Sequence, residues 1–378
     1  MASSLTTPLP AIHPVLDPLQ ATFADDADPA SGREGTSELE CQLEIEDDYG
    51  SDSFRRIGEF LNPYSYDTDQ AFVFLHRSLS GALAFQRPDL TSSAVQQIDG
   101  LVKRYRVQSR DVVDGIEATA FSQSAIFHAW LAGQSYVHNL NDLVSDSAYL
   151  FLTSRPLARR LFKKEKITLS ILPLISGAAT LRTVVKYLDG TPDDTFSSSL
   201  GSLTQYRPVY WNYTLPANFD LIKSVDIDIT GLTGTAEKLT YRLIHHRPKY
   251  FSQIYYGNSL GGFDSLPLTG VMALSNQPTG EVFETAVVPD HDGQEGTYRT
   301  FNQKSHDSMI LRTGYMPLEE KLALKDMTLR NHTYLVEGNK LRKLLLENTD
   351  HLMRTDGVYQ HTAEFTARFA FDNLAYSR

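Results

Sequence analysis

The sequence predicts a mainly β protein in which tandem β-sandwich domains are followed by a small α+β module. Three observations carry this: apolar and polar residues alternate over several short runs, clusters of Gly, Asp, Ser and Pro separate those runs, and nineteen Phe and nineteen Tyr stand against two Trp. A length of 378 residues suits two or three domains, and 41% apolar with 21% charged residues is a soluble globular balance.

Residues 1–37 are rich in Pro, Ala, Ser, Thr and Asp with a weak apolar period, and read as a flexible N-terminal arm, either disordered or ordered against a neighbouring subunit. From Leu39 the pattern is strict. Leu39, Cys41, Leu43 and Ile45 point one way and Glu40, Gln42, Glu44 and Glu46 the other, which is a half-buried strand. Further strand signals at 71–75, 103–108 and 116–130 complete a β-sandwich-like domain over 38–165.

A second sandwich-like domain, 166–290, begins near Ile167 and includes a strand over 183–187. Val225, Ile227 and Ile229 alternate with Asp226 and Asp228, turn chemistry follows at 231–234, and the chain returns through Leu239, Tyr241 and Leu243. This is a hairpin with both aspartates on its polar face. A strand over 250–256 then breaks at the Gly-rich turn of Asn258, Ser259, Leu260, Gly261 and Gly262.

Residues 291–378 read as the α+β module. A short helix over 319–329 follows Pro317 with acids in its first turn. A hairpin then reverses at Glu337, Gly338 and Asn339, and a closing strand carries Phe365, Ala367, Phe369 and Phe371 on one face.

A net charge of -11 and a pI near 5.5 argue against a nucleic-acid binder, which needs a cationic face. The basic cluster Arg155, Arg159, Arg160, Lys163, Lys164 and Lys166 reads as a solvated edge or as a site for an anionic partner. Cys41 is the single cysteine, so no internal disulfide forms and no Cys-based zinc site exists. No cationic, apolar leader and no run of 18 apolar residues is present; synthesis in the cytoplasm and no membrane span are expected.

Candidate chemistry is sparse. Asp290, Asp292 and Glu295, with His291 and Gly293, place oxygen ligands in a tight turn, as a calcium loop or a plain surface turn does. Glu46, Asp47, Asp48 and Asp52 form a second acidic turn. Adjacent His245 and His246 point to opposite faces of a strand end, and His128 and His138 sit near aromatics as ligands or as hydrogen-bonded core histidines. The nucleophile-elbow, phosphate-loop and zinc-protease signatures are absent, so no enzyme activity and no cofactor is expected, calcium being the one candidate. Strand aromatics Trp211, Tyr213, Tyr255 and Tyr256 are candidates to meet a sugar or a protein, with core packing as the alternative.

The segment from Tyr255 through Asn258, Gly261, Gly262 and Phe263 to Asp264, followed by Thr269 and Gly270, resembles a recurrent pattern in Bacteroidota phage and prophage tail proteins. An aromatic strand leads into an Asn-Ser-Leu-Gly-Gly-Phe-Asp turn, whose glycines permit a tight reversal and whose Phe re-enters the core, so the motif is architectural. Arg312 to Tyr315, the helix, the hairpin and the closing strand are similar to the end module of those proteins, and the likeness spans roughly residues 240–378. Pro267 and the acidic stretch 281–295 depart from the pattern. The resemblance implies a structural or attachment subunit of a phage tail or contractile injection particle, assembled in the bacterial cytoplasm. Its partners would be copies of itself and other tail, fibre or baseplate proteins, with a cell-surface glycan as an alternative ligand and polysaccharide degradation as a further alternative.

Overall fold

The computed structural model describes residues 4–6, 9–24, 37–65, 68–117, 120–133, 147–216, 218–284, 298–329, 332–348, 361–370 and 373–374. It is mainly β, with tandem sandwich character and a small α+β module at the C-terminal end. The chain packs as two compact units. Unit 1 takes Met1–Arg160, Lys166–Leu243 and Asn258–Phe263; unit 2 takes Leu161–Glu165, Ile244–Gly257 and Asp264–Arg378.

Four sheets build unit 1. The first is β1 (Ser4–Leu5), β3 (Gln20–Ala24) and β6 (Gln70–Phe74), after which helix α1 (His76–Ala82) follows. The second runs β2 (Ile12–Pro14), β11 (Phe127–Trp130), β8 (Val102–Val113), β4 (Ser37–Glu46) and β5 (Phe54–Pro63), with β9 (Ile116–Glu117) and β10 (Ser122–Gln123) also on β8. The third is β12 (Tyr149–Phe151), β14 (Ile167–Pro173), β17 (Val209–Tyr213) and β7 (Gln96–Gln97). The fourth is β13 (Ala158–Phe162), β19 (Leu239–Ile244), β18 (Ile222–Thr230), β15 (Gly177–Tyr187) and β16 (Asp194–Leu203).

Unit 2 holds one large sheet in the order β21 (Phe263–Leu268), β20 (Ser252–Gly257), β24 (Thr333–Glu337), β25 (Lys340–Asn348), β26 (Glu364–Phe369), β23 (Tyr298–Arg312) and β22 (Ala273–Glu284), with β27 (Asn373–Leu374) on β23. Helix α2 (Leu318–Leu329) starts behind Pro317 with Glu319 and Glu320 in its first turn, where they complement the positive end of the helix dipole. Its Leu324 and Met327 join Ile254, Tyr256, Leu311, Leu344 and Phe365 in the core of this unit.

Two expectations change. The first 24 residues are not a free arm where they are described: β2 pairs in parallel with β11, β3 pairs with β6, and Leu9, Val15, Leu19, Ala21 and Phe23 are buried. Their apolar period is broken by prolines, which hid the strands from a pattern reading. The segments 38–165 and 166–290 also contribute to one unit, and β12 and β7 from the first form the two edges of a sheet whose inner strands, β14 and β17, come from the second. Such cross-pairing leaves no local trace in sequence.

The alternation over β4 takes the expected form. Leu39, Cys41, Leu43 and Ile45 are wholly buried, and burial pushes the Cys41 thiol up to about 12. On the other face, Glu40, Glu44 and Glu46 meet Arg110, Arg106 and Arg104 of β8, at 2.7 Å for Glu40 with Arg110 and 2.6 Å for Glu44 with Arg106. Phe54 lies 4.4 Å from the Arg106 guanidinium and Phe121 lies 4.3 Å from that of Arg110. The result is a charged ladder lidded by rings. The hairpin of β18 and β19 likewise places Asp226 on Lys186 at 3.0 Å and on Thr240 at 2.8 Å, with Asp228 on Arg182.

Glu46 is the most enclosed rung. Burial raises its pKa, but the Arg104 hydrogen bonds and the backbone N–H groups of Gly50 and Asp52 outweigh this and hold it below the ordinary 4.5. A carboxylate with a depressed folded pKa stabilises fully above its unfolded value and loses that contribution as pH falls through the folded one. Glu46→Gln is therefore expected to lose about 2 kcal/mol at neutral pH and to show a shallower loss of stability on acidification. Urea unfolding of both proteins from pH 7 to about pH 3 checks this; parallel pH curves would refute it.

Candidate functional site

The turn singled out in sequence is a deeply enclosed polar structure of unit 1. Asn258 is fully buried, its Oδ1 accepts from the N–H of Leu260 at 3.0 Å and of Gly262 at 3.1 Å, and its Nδ2 donates to the Leu152 carbonyl at 2.9 Å. The backbone closes on itself as Asn258 N–H donates to the Gly262 carbonyl at 2.9 Å. Gly261 has φ +85°, open to glycine at little cost, and a Cβ there would lie 2.8 Å from the Leu131 carbonyl oxygen. At Gly262 a Cβ would collide with the Leu152 carbonyl and stand 2.7 Å from the Leu152 Cβ.

Around the turn, the Trp130 indole N–H donates to the Leu260 carbonyl at 3.0 Å, Gly133 N–H to Ser259 at 3.0 Å, and Phe263 N–H to the Ser170 hydroxyl at 3.1 Å. The Phe263 ring meets Phe85 and Tyr210 edge to face, each at 6.2 Å. The hydrogen-bonding groups named here are used in holding the turn.

The candidate aromatics separate. Tyr255 and Tyr256 are fully buried in unit 2, so neither ring is available to a ligand. Trp211 and Tyr213 are half-exposed on the same side of β17, ring centroids 5.9 Å apart and tilted by 50°. They line a groove of ≈ 370 Å³ with Thr183, Phe196 and Ser198 of the β15–β16 hairpin. Burial pushes the Tyr213 phenol up to about 12, against a lowering hydrogen bond with Thr183, so it is a neutral hydroxyl at ordinary pH.

Asn212, between the two rings in sequence, fixes the rim. Its Nδ2 donates to the carbonyls of Asp89 and Ser92, each at 2.7 Å, while its Oδ1 accepts from Thr168 at 2.7 Å. Asp89 is itself locked by Thr91 and by reciprocal bonds with Gln96, which holds the adjacent Ser93 at the groove mouth. Sequence reading found Trp211 and Tyr213 but missed Ser93, Phe196 and Ser198, which come from separate elements and carry no motif.

The remaining candidates stay apart from any site. Asp290, Asp292 and Glu295 lie outside the described residues, as do His291 and His138. In the second acidic turn, Arg104 occupies Glu46 and Asp52 and Arg55 occupies Asp47, so arginine supplies the positive charge there. Among the described residues no three His, Cys, Asp or Glu side chains gather as a metal site would require. His128 Nδ1–H donates to the Ala11 carbonyl at 3.1 Å and its ring lies tilted against Tyr206 at 4.7 Å; burial lowers its pKa. His245 and His246 are exposed beyond the end of β19.

The basic cluster is not one solvated edge. Arg155 and Arg159 are buried, and Arg159 donates to Thr153 at 2.8 Å and to Tyr241 at 2.7 Å while lying over the Tyr241 ring. Within the cluster only Lys163 and Lys164 are exposed. Among the described residues no helix is long and apolar enough to cross a membrane.

No protein-family model and no curated protein matches the chain. Among solved structures it is similar to the calcium binding domain CBD12 of CALX1.1, at 8% identity over 61% of this chain and 79% of that one, with a TM-score of 0.21. It is similar also to CBD12 from CALX1.2, at 8% identity over 62% and 82%, with a TM-score of 0.19. Likeness this weak carries no argument about fold or calcium.

Asn258→Ala is expected to strand the Leu152 carbonyl and two N–H groups in a dry interior, costing about 3 kcal/mol or more, and Gly262→Ala about as much through the Leu152 clash. Thermal unfolding followed by circular dichroism tests both, with Ser259→Ala as a mild control whose backbone contact persists. Wild-type stability in either variant would contradict the assigned role.

Proposed function

We propose that this chain is a non-enzymatic structural subunit of a phage-tail-like particle, assembled in the bacterial cytoplasm and held there by protein–protein contacts of its β-sheet edges. The observation that carries the reading is β22. It is an edge strand of 12 residues with β23 on one side and no strand on the other among the described residues. At about 3.3 Å per residue it offers roughly 40 Å of unpaired backbone.

Its described side chains leave it open. Leu274 is 61% and Val282 63% exposed, and Val271 and Met272 just before it are also exposed. Monomeric β proteins shorten, charge or cover such edges, since an open apolar edge pairs with any compatible strand. The strand contains Pro278, which is tolerated on an edge. Strand addition by a neighbouring copy or another tail protein satisfies both the backbone and the apolar side chains. The local likeness of residues 240–378 to Bacteroidota phage tail proteins supports the same reading.

The full chain is expected to associate in a concentration-dependent way in light scattering, and Leu274→Lys with Val282→Lys to shift it towards monomer without changing its melting temperature. Immunogold microscopy of particles from producing cells should place label at a fixed position on a tail. A chain that stays monomeric at all concentrations and is absent from particles would overturn the proposal.

A further inference from the structure

The groove beside Trp211 has a chemistry unlike an assembly edge. Its walls are aromatic faces and hydroxyls, and none of its lining residues is charged. Phe196 is 49% exposed and shares the groove with Trp211 and Tyr213, so apolar ring faces stand open to solvent from two different sheets. The hydroxyls of Ser93, Ser198 and Thr214 and the indole N–H of Trp211 make no hydrogen bond to any described residue. They are available to a ligand.

We propose that this groove binds a neutral saccharide. A pyranose offers an apolar C–H face to an aromatic ring and a rim of hydroxyls to donors and acceptors, which matches both halves of the lining. A purely apolar ligand would leave the hydroxyls and the indole N–H without partners. A nucleic acid or an acidic glycan calls for cations, and the lining has none. The volume of ≈ 370 Å³ falls low in the range of small-molecule sites, about 300–1,000 Å³, and suits a terminal sugar with its neighbour.

The site is built before the ligand arrives. Asn212 spends both amide protons on the loop that carries Ser93, and Tyr213 is tethered to Thr183, so the rings and the rim are held without a sugar present. Binding here needs no particle and no second copy, so it stands or falls apart from the assembly reading.

The chain has its own reporter. Of its two tryptophans Trp130 is fully buried, so a ligand-induced change in indole fluorescence comes from Trp211. Titration of the full chain with neutral hexasaccharides (maltohexaose, laminarihexaose, chitohexaose, mannohexaose) is expected to give a saturable shift with at least one. Phe196→Ala, on an exposed side chain, should weaken that binding about tenfold. Trp211→Ala, read by isothermal calorimetry because the reporter is gone, should weaken it at least as much with its circular dichroism melt unchanged. No saturable shift with any neutral hexasaccharide, binding that survives both substitutions, or binding restricted to polyuronates would overturn the proposal.

Discussion

Inside unit 1, one carboxamide answers three backbone groups that water cannot reach: two N–H groups of its own turn and the carbonyl of Leu152. A buried amide left unpaired costs about as much as several apolar contacts gain, so the polypeptide at 258–262 has one geometry available. That geometry fixes where the Leu260 carbonyl meets the Trp130 indole and where Phe263 enters between Phe85 and Tyr210. Sheets built from β8 and β11 on one hand and β12, β14 and β17 on the other are thereby tied to the same six residues.

The elements with period-two alternation were legible in sequence. Leu39 to Ile45 are buried on one face, Asp226 and Asp228 lie on the polar face of their hairpin, and the C-terminal helix, hairpin and closing strand fall near their expected positions. The reason is local: a half-buried strand writes its environment into alternate residues. Where pairing is non-local this writing fails. The parallel contact of β2 with β11 and the attachment of β7 to β17 join segments more than 100 residues apart, and no short-range pattern marks them. The long β22–β23 hairpin was missed for another reason, since the Ser-Asn-Gln-Pro-Thr-Gly stretch at 275–280 in the middle of β22 resembles a loop.

The candidate site was legible only in part. Aromatic residues on strands announce themselves, but the sequence around Tyr255 and Tyr256 does not say that both faces of β20 are covered there, while β17 leaves Trp211 and Tyr213 half open. Burial of an aromatic is decided by what packs over each face of its sheet, a property of the whole fold. Basic residues show the same limit, as Arg159 is drawn inside by Thr153 and Tyr241 whereas Lys163 stays in water.

Residues 258–263 belong to unit 1, yet 14 residues assigned to unit 2, Ile244–Gly257, separate them from the rest of it. A ribosome releases the chain in order, at about 5–20 residues per second. For the seconds that follow emergence of Leu243, the nascent unit lacks residues 258–263 and with them the partners of Trp130, Leu152 and Ser170. The amino-terminal part is thus kept from completing its interior until translation has passed into the next unit. A gene fragment ending at a conventional boundary near residue 243 would make that waiting state permanent, with an open slot lined by Leu101, Leu131 and Leu152 that invites aggregation.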